Sequence, residues 1–135
     1  MNKRFGHFCF AALLALSPLV ANAHHSFAAF DKTKVATLSG TIKYFEFTNP
    51  HIWIWLNVPG TGPDTGLYGF ESGGPSQFDR MGISRVRFAP GTKATFTYHP
   101  MRDGRKGGQL MVAQFAGGQT IDIMKYVKNF AAGEQ

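Results

Sequence analysis

Apolar and polar residues alternate with a period of two along most of the chain from residue 35 onward, which is typical of β-strands. The first such segment, Val35–Phe47, is a long β-branched and aromatic run. We interpret it as one bent strand in which Gly40 allows a coil or a bulge. After the turn at Asn49-Pro50, residues 51–58 alternate between aliphatic and aromatic or polar side chains, which predicts a second strand with one aliphatic face.

Clusters of glycine and proline divide the rest of the chain. Residues 59–66 and 101–108 predict hairpin loops. A short helix is predicted around residues 77–81, where Ser76 and Asp79 suit its start and Gly82 suits its end. Four further strands are predicted, at Leu67–Ser72, Lys93–His99, Gln109–Phe115 and Gln119–Ile123.

This pattern predicts an all-β fold with five or six short strands and one small helix before the fourth strand. A long, bent first strand favours a small closed or partly open antiparallel barrel of the oligomer-binding (OB) type. A two-sheet β-sandwich is the alternative. We expect one domain over residues 24–123, followed by a C-terminal tail at 124–135 that forms an indifferent helix or frays.

The first 23 residues have the parts of a secretory signal peptide. Basic Lys3 and Arg4 precede the apolar stretch Phe8–Leu16, and the small residues Ala21 and Ala23 form a cleavage site. The apolar stretch is shorter than the roughly 20 residues that cross a bilayer. We therefore expect a periplasmic or secreted protein, with no transmembrane anchor after processing.

Cysteine usage and charge narrow the possible chemistry. The only cysteine, Cys9, lies in the predicted leader, so the mature chain has no disulfide and no thiolate ligand for a metal. Without the leader the chain has 12 basic and 8 acidic residues, a formal charge of +4. This mild charge makes nucleic acid an unlikely partner, because dedicated nucleic-acid binders carry a dense basic surface.

Cleavage after Ala23 would place His24 at the mature N-terminus, and this predicts a metal site. A terminal amine and the Nδ1 atom of the same residue can form a chelate ring on Cu(II), and another imidazole can complete the set. We predict copper as the cofactor and His24, His25 and His51 as its ligands, with His99 as an outside candidate. The alternative is a frayed histidine terminus, with His51 bonded only to backbone near the turn.

Two aromatic residues near the predicted mature terminus, Phe27 and Phe30, bear on this choice. Large apolar side chains favour docking of the segment against the barrel over exposure to solvent. The metal hypothesis requires such docking, because His51 lies far along the chain from His24.

The aromatic face of the second strand predicts a second kind of site. Trp53 and Trp55 share a face with His51, and Tyr44 lies on the first strand. These rings either cover the barrel wall, stack on sugar or base rings, or lie over bound Cu(I). The alternative function is therefore an interaction module that binds a glycan, polyanion or protein, with help from the basic loop Arg102–Lys106.

Glu71 follows an aromatic residue in a strand and precedes a glycine turn, so we expect it to be partly buried. It is predicted to accept hydrogen bonds from nearby backbone or to pair with Arg80 or Arg85; its alternative role is to orient a histidine. No nucleophile motif, phosphate loop or carboxylate pair is evident. We therefore predict a binding protein and not an enzyme.

Several motifs resemble a family of small exported bacterial proteins of unknown function. The motifs are His25-Ser26-Phe27, Gly40-Thr41, Asn49-Pro50-His51-Ile52-Trp53, Glu71-Ser72-Gly73-Gly74-Pro75, the stretch Arg80–Arg85 and Pro90-Gly91. Together they span nearly the whole predicted mature domain. This chain departs from the family pattern at Phe30, where an acidic residue is usual, and in its glycine-rich loop at 104–108. The resemblance implies no particular reaction or ligand.

Overall fold

The structure is a computed structural model and describes residues 27–125. The predicted leader, His24, His25 and most of the predicted tail lie outside the described residues. The strands are β1 (Ala36–Glu46), β2 (Trp53–Val58), β3 (Gly66–Glu71), β4 (Lys93–Pro100), β5 (Gly107–Phe115) and β6 (Thr120–Asp122). The helical elements are α1 (Pro75–Arg80) and two 3-10 helices at Phe27–Ala29 and Arg85–Phe88.

Five of the strands form a closed barrel, which confirms the predicted all-β barrel. The sheet order is β3-β2-β1-β4-β5-β6, and an additional pairing of β3 with β5 closes the barrel and leaves β6 as an extra edge strand. All pairs are antiparallel except β3–β5, which is parallel. The barrel is therefore mixed rather than wholly antiparallel. Alternation along a strand is the same for either direction, so the sequence pattern did not distinguish them.

The closing pair depends on glycine. Gly69 and Phe70 of β3 lie opposite Gly107 and Gly108 of β5. A Cβ at Gly107 would overlap the carbonyl oxygen of Gly69, and a Cβ at Gly108 would overlap that of His99. These two glycines were predicted to lie in a hairpin loop, but they begin β5, because only a residue without a side chain allows this close backbone approach.

The bulge in β1 lies three residues beyond Gly40, the residue that was expected to allow it. The register between β1 and β2 shifts between Ile42 and Tyr44, which places the bulge at Lys43. Gly40 has a different role: a Cβ there would lie 2.5 Å from the carbonyl oxygen of Asn57. Near Gly40 the pairing partner of β1 changes from β4 to β2. The missing side chain lets the backbones of β1 and β2 approach each other.

Aromatic residues fill the barrel and close its end. Phe70 contacts the rings of Phe96 and Tyr98 at centroid distances of 5.2 and 4.9 Å. Phe78 of α1 and Phe88 of the second 3-10 helix are fully buried and pack 5.7 Å apart. No helix among residues 27–125 is long and apolar enough to cross a membrane.

The helix start differs from the prediction. Ser76 was expected to begin α1, but the helix begins at Pro75 and Gly74 is its N-cap, without a side-chain hydrogen bond. Proline suits the first helical position because its fixed φ is helical and its missing N–H has no partner there.

We expect Gly107→Ala to lower the free energy of unfolding by more than about 2 kcal/mol, because the residue has φ +135° and its new Cβ would meet the β3 backbone. Gly62→Ala is the matched control: nothing lies within 4 Å of a Cβ there, and we expect a change within about 0.5 kcal/mol. Urea unfolding followed by circular dichroism measures both. Equal stability of the two variants would contradict a close β3–β5 contact.

Candidate ligand site

The segments before β2 and after β3 lie against each other at one end of the barrel. The N–H of Ile52 donates to the carbonyl of Gly73 over 3.1 Å, and the N–H of Ser72 donates to the carbonyl of Ile52 over 2.9 Å. A Cβ at Gly74 would lie 2.7 Å from the carbonyl oxygen of Pro50. The Asn-Pro-His and Glu-x-Gly-x-Pro motifs, which are separate in sequence, are therefore one structural unit.

This unit pairs a histidine with a carboxylate. The Nδ1 atom of His51 lies 2.7 Å from Oε1 of Glu71, and the side chains are 28 % and 10 % exposed. At this distance the Nδ1–H of a neutral ring can donate to the carboxylate, which would leave the lone pair on Nε2. The geometry thus matches the role considered for Glu71 as an orienting group for a histidine, and it gives His51 a partner other than turn backbone.

A small cavity of about 160 Å³ adjoins the pair. It is lined by His51, Glu71, Ser72 and Gln109, with apolar walls from Leu110 and other residues. Among the described residues, Ser72 Oγ and Gln109 Oε1 are buried without a hydrogen-bond partner. Buried polar atoms are normally hydrogen-bonded, and a water molecule needs about 30 Å³. The cavity is therefore suited to a small polar ligand or a few waters.

Sequence reasoning missed Gln109 and Ser72. Gln109 lies opposite Glu71 on β3 and opposite His99 on β4, so it connects the two strands that flank it. Its only sequence signal was a polar residue among apolar ones just after two glycines. The β3–β5 pairing places Gln109 beside the carboxylate of Glu71, and the sequence did not show this pairing.

The segment before β1 docks on the barrel, as the aromatic residues predicted. Phe30 is 1 % exposed and forms a β-bridge with Met101. The N–H of Arg102 donates to the carbonyl of Ala29 over 2.9 Å. Only the Phe30 side chain can be described, because that of Phe27 lies outside the described part of the structure.

His99 takes part in this docking. Its Nδ1 atom is hydrogen-bonded to the backbone carbonyl of Lys34 at 2.7 Å, and the residue is 9 % exposed. A turn next to this contact is held by Asp31, which accepts hydrogen bonds from Thr33 and forms an ion pair with Lys34. These hydrogen bonds, with that of Thr33 largest, lower the pKa of the Asp31 carboxyl to about 2.

The described residues include only one of the three predicted copper ligands. Within residues 27–125 no three histidine or carboxylate side chains are placed to hold a metal ion. The structure places one of the three predicted ligands, His51, and pairs it with Glu71. The other two, His24 and His25, precede the described range.

The aromatic residues meet on the outer face of the barrel. The alternating residues Ile52, Ile54 and Leu56 are fully buried, whereas Trp53 and Trp55 are half-buried on the opposite face. The two indole rings lie 6.0 Å apart at an angle of 24°. Residues opposite each other in a sheet share a face, so the register places Tyr44 and Glu71 on this face as well.

Comparison with protein-family sequence models matches residues 12–111 to DUF6152, described as a family of unknown function. The chain belongs to the DUF6152 family. The match confirms the family of unknown function that the motifs suggested. It spans β1 to β4, most of β5 and the His51–Glu71 pair, so this part of the barrel and the pair lie in the DUF6152 region. Searches of curated proteins and of solved structures found no match.

We expect neutral His51 to be protonated at Nδ1, because Glu71 accepts that hydrogen. Long-range ¹H–¹⁵N NMR distinguishes this tautomer from the Nε2–H form. Glu71→Ala should produce a mixture of tautomers, whereas Glu71→Gln keeps an acceptor oxygen and should retain Nδ1–H. His99 is the internal control and should not change. An unchanged His51 signal in Glu71→Ala would contradict the pairing.

We also expect the turn at Asp31 to weaken in acid. The folded pKa is lowered from its usual 3.8 to about 2, so its stabilisation is complete above pH 3.8 and is lost as pH falls through about 2. An NMR titration of the carboxyl and amide exchange at Phe30 measure this. Asp31→Asn should remove this acid dependence; an Asp31 pKa near the usual value would contradict the contacts.

Proposed function

We propose that the protein is an exported, small ligand-binding protein that binds Cu(II) through His51 and the mature N-terminal His24. The contact between His51 Nδ1 and Glu71 Oε1 is the observation that supports this most. Histidines that ligate metals usually donate their second ring nitrogen to a carboxylate or a carbonyl, which orients the ring and raises its basicity. Nε2 of His51 would then be the metal ligand.

The remaining ligands would come from the terminus exposed by cleavage after Ala23. The amine and Nδ1 of His24 would chelate the ion, and His25 offers a further imidazole. Nitrogen ligands of this kind suit Cu(II) and its tetragonal geometry. The predicted mature chain has no cysteine thiols. Because thiolates select soft ions such as Cu(I), their absence is consistent with Cu(II) as the bound ion.

The docking of the N-terminal segment supports the proposal that His24 and His51 bind the same ion. Phe30 bridges to Met101, and Met101 lines the same groove as Trp53. Trp53 in turn lies opposite Glu71, the partner of His51. His24 is six residues before Phe30 and can therefore extend roughly 20 Å from it.

Binding rather than catalysis is the role we propose. The nearest hydroxyl in sequence to the His51–Glu71 pair belongs to Ser72, and its oxygen has no hydrogen-bond partner among residues 27–125. A nucleophilic serine is instead hydrogen-bonded to its histidine base. The orphan oxygens of Ser72 and Gln109 provide hydrogen-bonding positions for a small polar ligand beside the metal.

The test is a Cu(II) titration of protein that begins at His24, with a competing chelator to set the free metal concentration. Acetylation of the N-terminal amine removes the terminal chelate ring without adding a residue, and it should weaken binding by about 100-fold. His51→Ala and Glu71→Ala should each weaken it by about 10-fold or more, whereas Glu71→Gln should have a smaller effect. Electron paramagnetic resonance should show nitrogen ligands.

Two outcomes would contradict the proposal. Equal affinity of the processed protein with a free and with an acetylated N-terminal amine would show that the metal does not bind at the terminus. If mass spectrometry of the exported protein shows a first residue other than His24, the proposed chelate cannot form. Val86→Ala, an exposed position far from the pair in sequence, is the control for nonspecific effects and should not change copper affinity.

A further inference from the structure

A second site is formed by the two tryptophans on the outer face of the barrel. A Cβ at Gly69 would lie 2.7 Å from Cζ3 of Trp55, and 2.9 and 3.1 Å from the neighbouring ring atoms Cη2 and Cε3. Such similar distances to three adjacent atoms mean that the face of the ring, and not its edge, covers Gly69. The indole of Trp55 therefore lies flat on the sheet, and its other face points away from the barrel.

The orientation of this ring is held by two contacts. Gly69 provides the space beneath it, since any side chain there would displace it. The indole Nε1–H donates to Oε1 of Glu46 over 3.0 Å. Trp53 packs beside it in an offset stack, with ring centroids 6.0 Å apart and ring planes at an angle of 24°. The two indoles thus form a preorganised aromatic platform, which we define as Trp53 and Trp55.

The platform is the floor of a groove of about 400 Å³, a volume within the range of small-ligand sites. Its polar rim includes Glu46, Arg105 and Lys106. One oxygen of Glu46 holds Trp55, and the second can accept a hydrogen bond. The guanidinium of Arg105 has several N–H donors, of which the Nε–H is used by Asp103.

The charges at this rim are largely compensated. Arg105 Nε lies 2.7 Å from Oδ2 of Asp103, and Lys106 Nζ donates to the carbonyl of Thr65. Glu46 adds a negative charge to the same groove. A polyanion would meet a carboxylate and two engaged cations here, so the electrostatics do not favour it. A neutral ligand with one apolar face and several hydroxyl groups matches the groove better.

We propose that this groove binds a neutral oligosaccharide. A pyranose ring has a face of C–H groups that packs on an aromatic plane, and hydroxyls around its edge that hydrogen-bond to polar side chains. The Trp53–Trp55 platform supplies the plane, and Glu46 and Arg105 supply an acceptor and donors at the rim. This site uses no histidine and does not depend on bound metal.

The chain is well suited to a direct test, because it has only two tryptophans and both are in the groove. Tryptophan emission therefore reports on this site alone. The probes are cellohexaose, chitohexaose and maltohexaose, added to metal-free protein in EDTA. At least one should change the emission saturably. Trp53→Ala should weaken its binding, measured by calorimetry, by about 10-fold or more.

Matched variants separate loss of the groove from loss of the fold. Glu46→Gln keeps an acceptor for Trp55 and should weaken binding by less than Trp53→Ala. Val86→Ala is exposed on the second 3-10 helix and should bind as the parent does. Circular dichroism on each variant checks folding.

Other outcomes would overturn the proposal. Binding of heparin or single-stranded DNA without any neutral hexasaccharide would show a polyanion site. Sugar binding unaffected by Trp53→Ala would place the ligand elsewhere, and no binding of the three sugars would remove the assignment. Because EDTA excludes copper, failure here is distinguishable from failure of the metal site.

Discussion

The close backbone contact between β3 and β5 is the constraint on which the rest of the structure depends. Gly69 and Gly107 lie opposite each other without side chains, and the N–H of Gly69 donates to the carbonyl of Lys106 over 3.2 Å. This contact closes the barrel. It also positions both candidate sites, because it places Glu71 beside Gln109 and leaves Gly69 free to accept the face of Trp55.

The two sites share one outer face of the barrel, and Trp53 lies between them. It is opposite Glu71, which holds His51, and its ring is adjacent to that of Trp55. Substitution at Trp53 is therefore expected to affect the sugar groove directly and the histidine only through the sheet. In the two proposals above, the metal ion and the sugar would therefore bind on the same side of the barrel.

Two of the motifs found in the sequence form one structural unit in this arrangement. Asn-Pro-His lies just before β2, Glu-x-Gly-x-Pro begins at the last residue of β3, and backbone hydrogen bonds join the second segment to Ile52, which follows the histidine. Gly74 has no room for a side chain, because a Cβ there would lie 2.7 Å from the carbonyl oxygen of Pro50. The spacing of the motifs thus provides a tight frame that holds the His51–Glu71 pair.

The sequence alone determined the local features: strand positions, the buried aliphatic face of β2, the shared outer face of its tryptophans, and the docking of Phe30. Each follows from alternation and burial of apolar side chains, which are properties of neighbouring residues. Tertiary structure decided four other features. They are the parallel closing pair, the inclusion of Gly107 in β5, the bulge at Lys43 and the unpaired oxygen of Gln109. They depend on which strands become neighbours, and residues 38 positions apart, such as Glu71 and Gln109, carry no local signal of their contact.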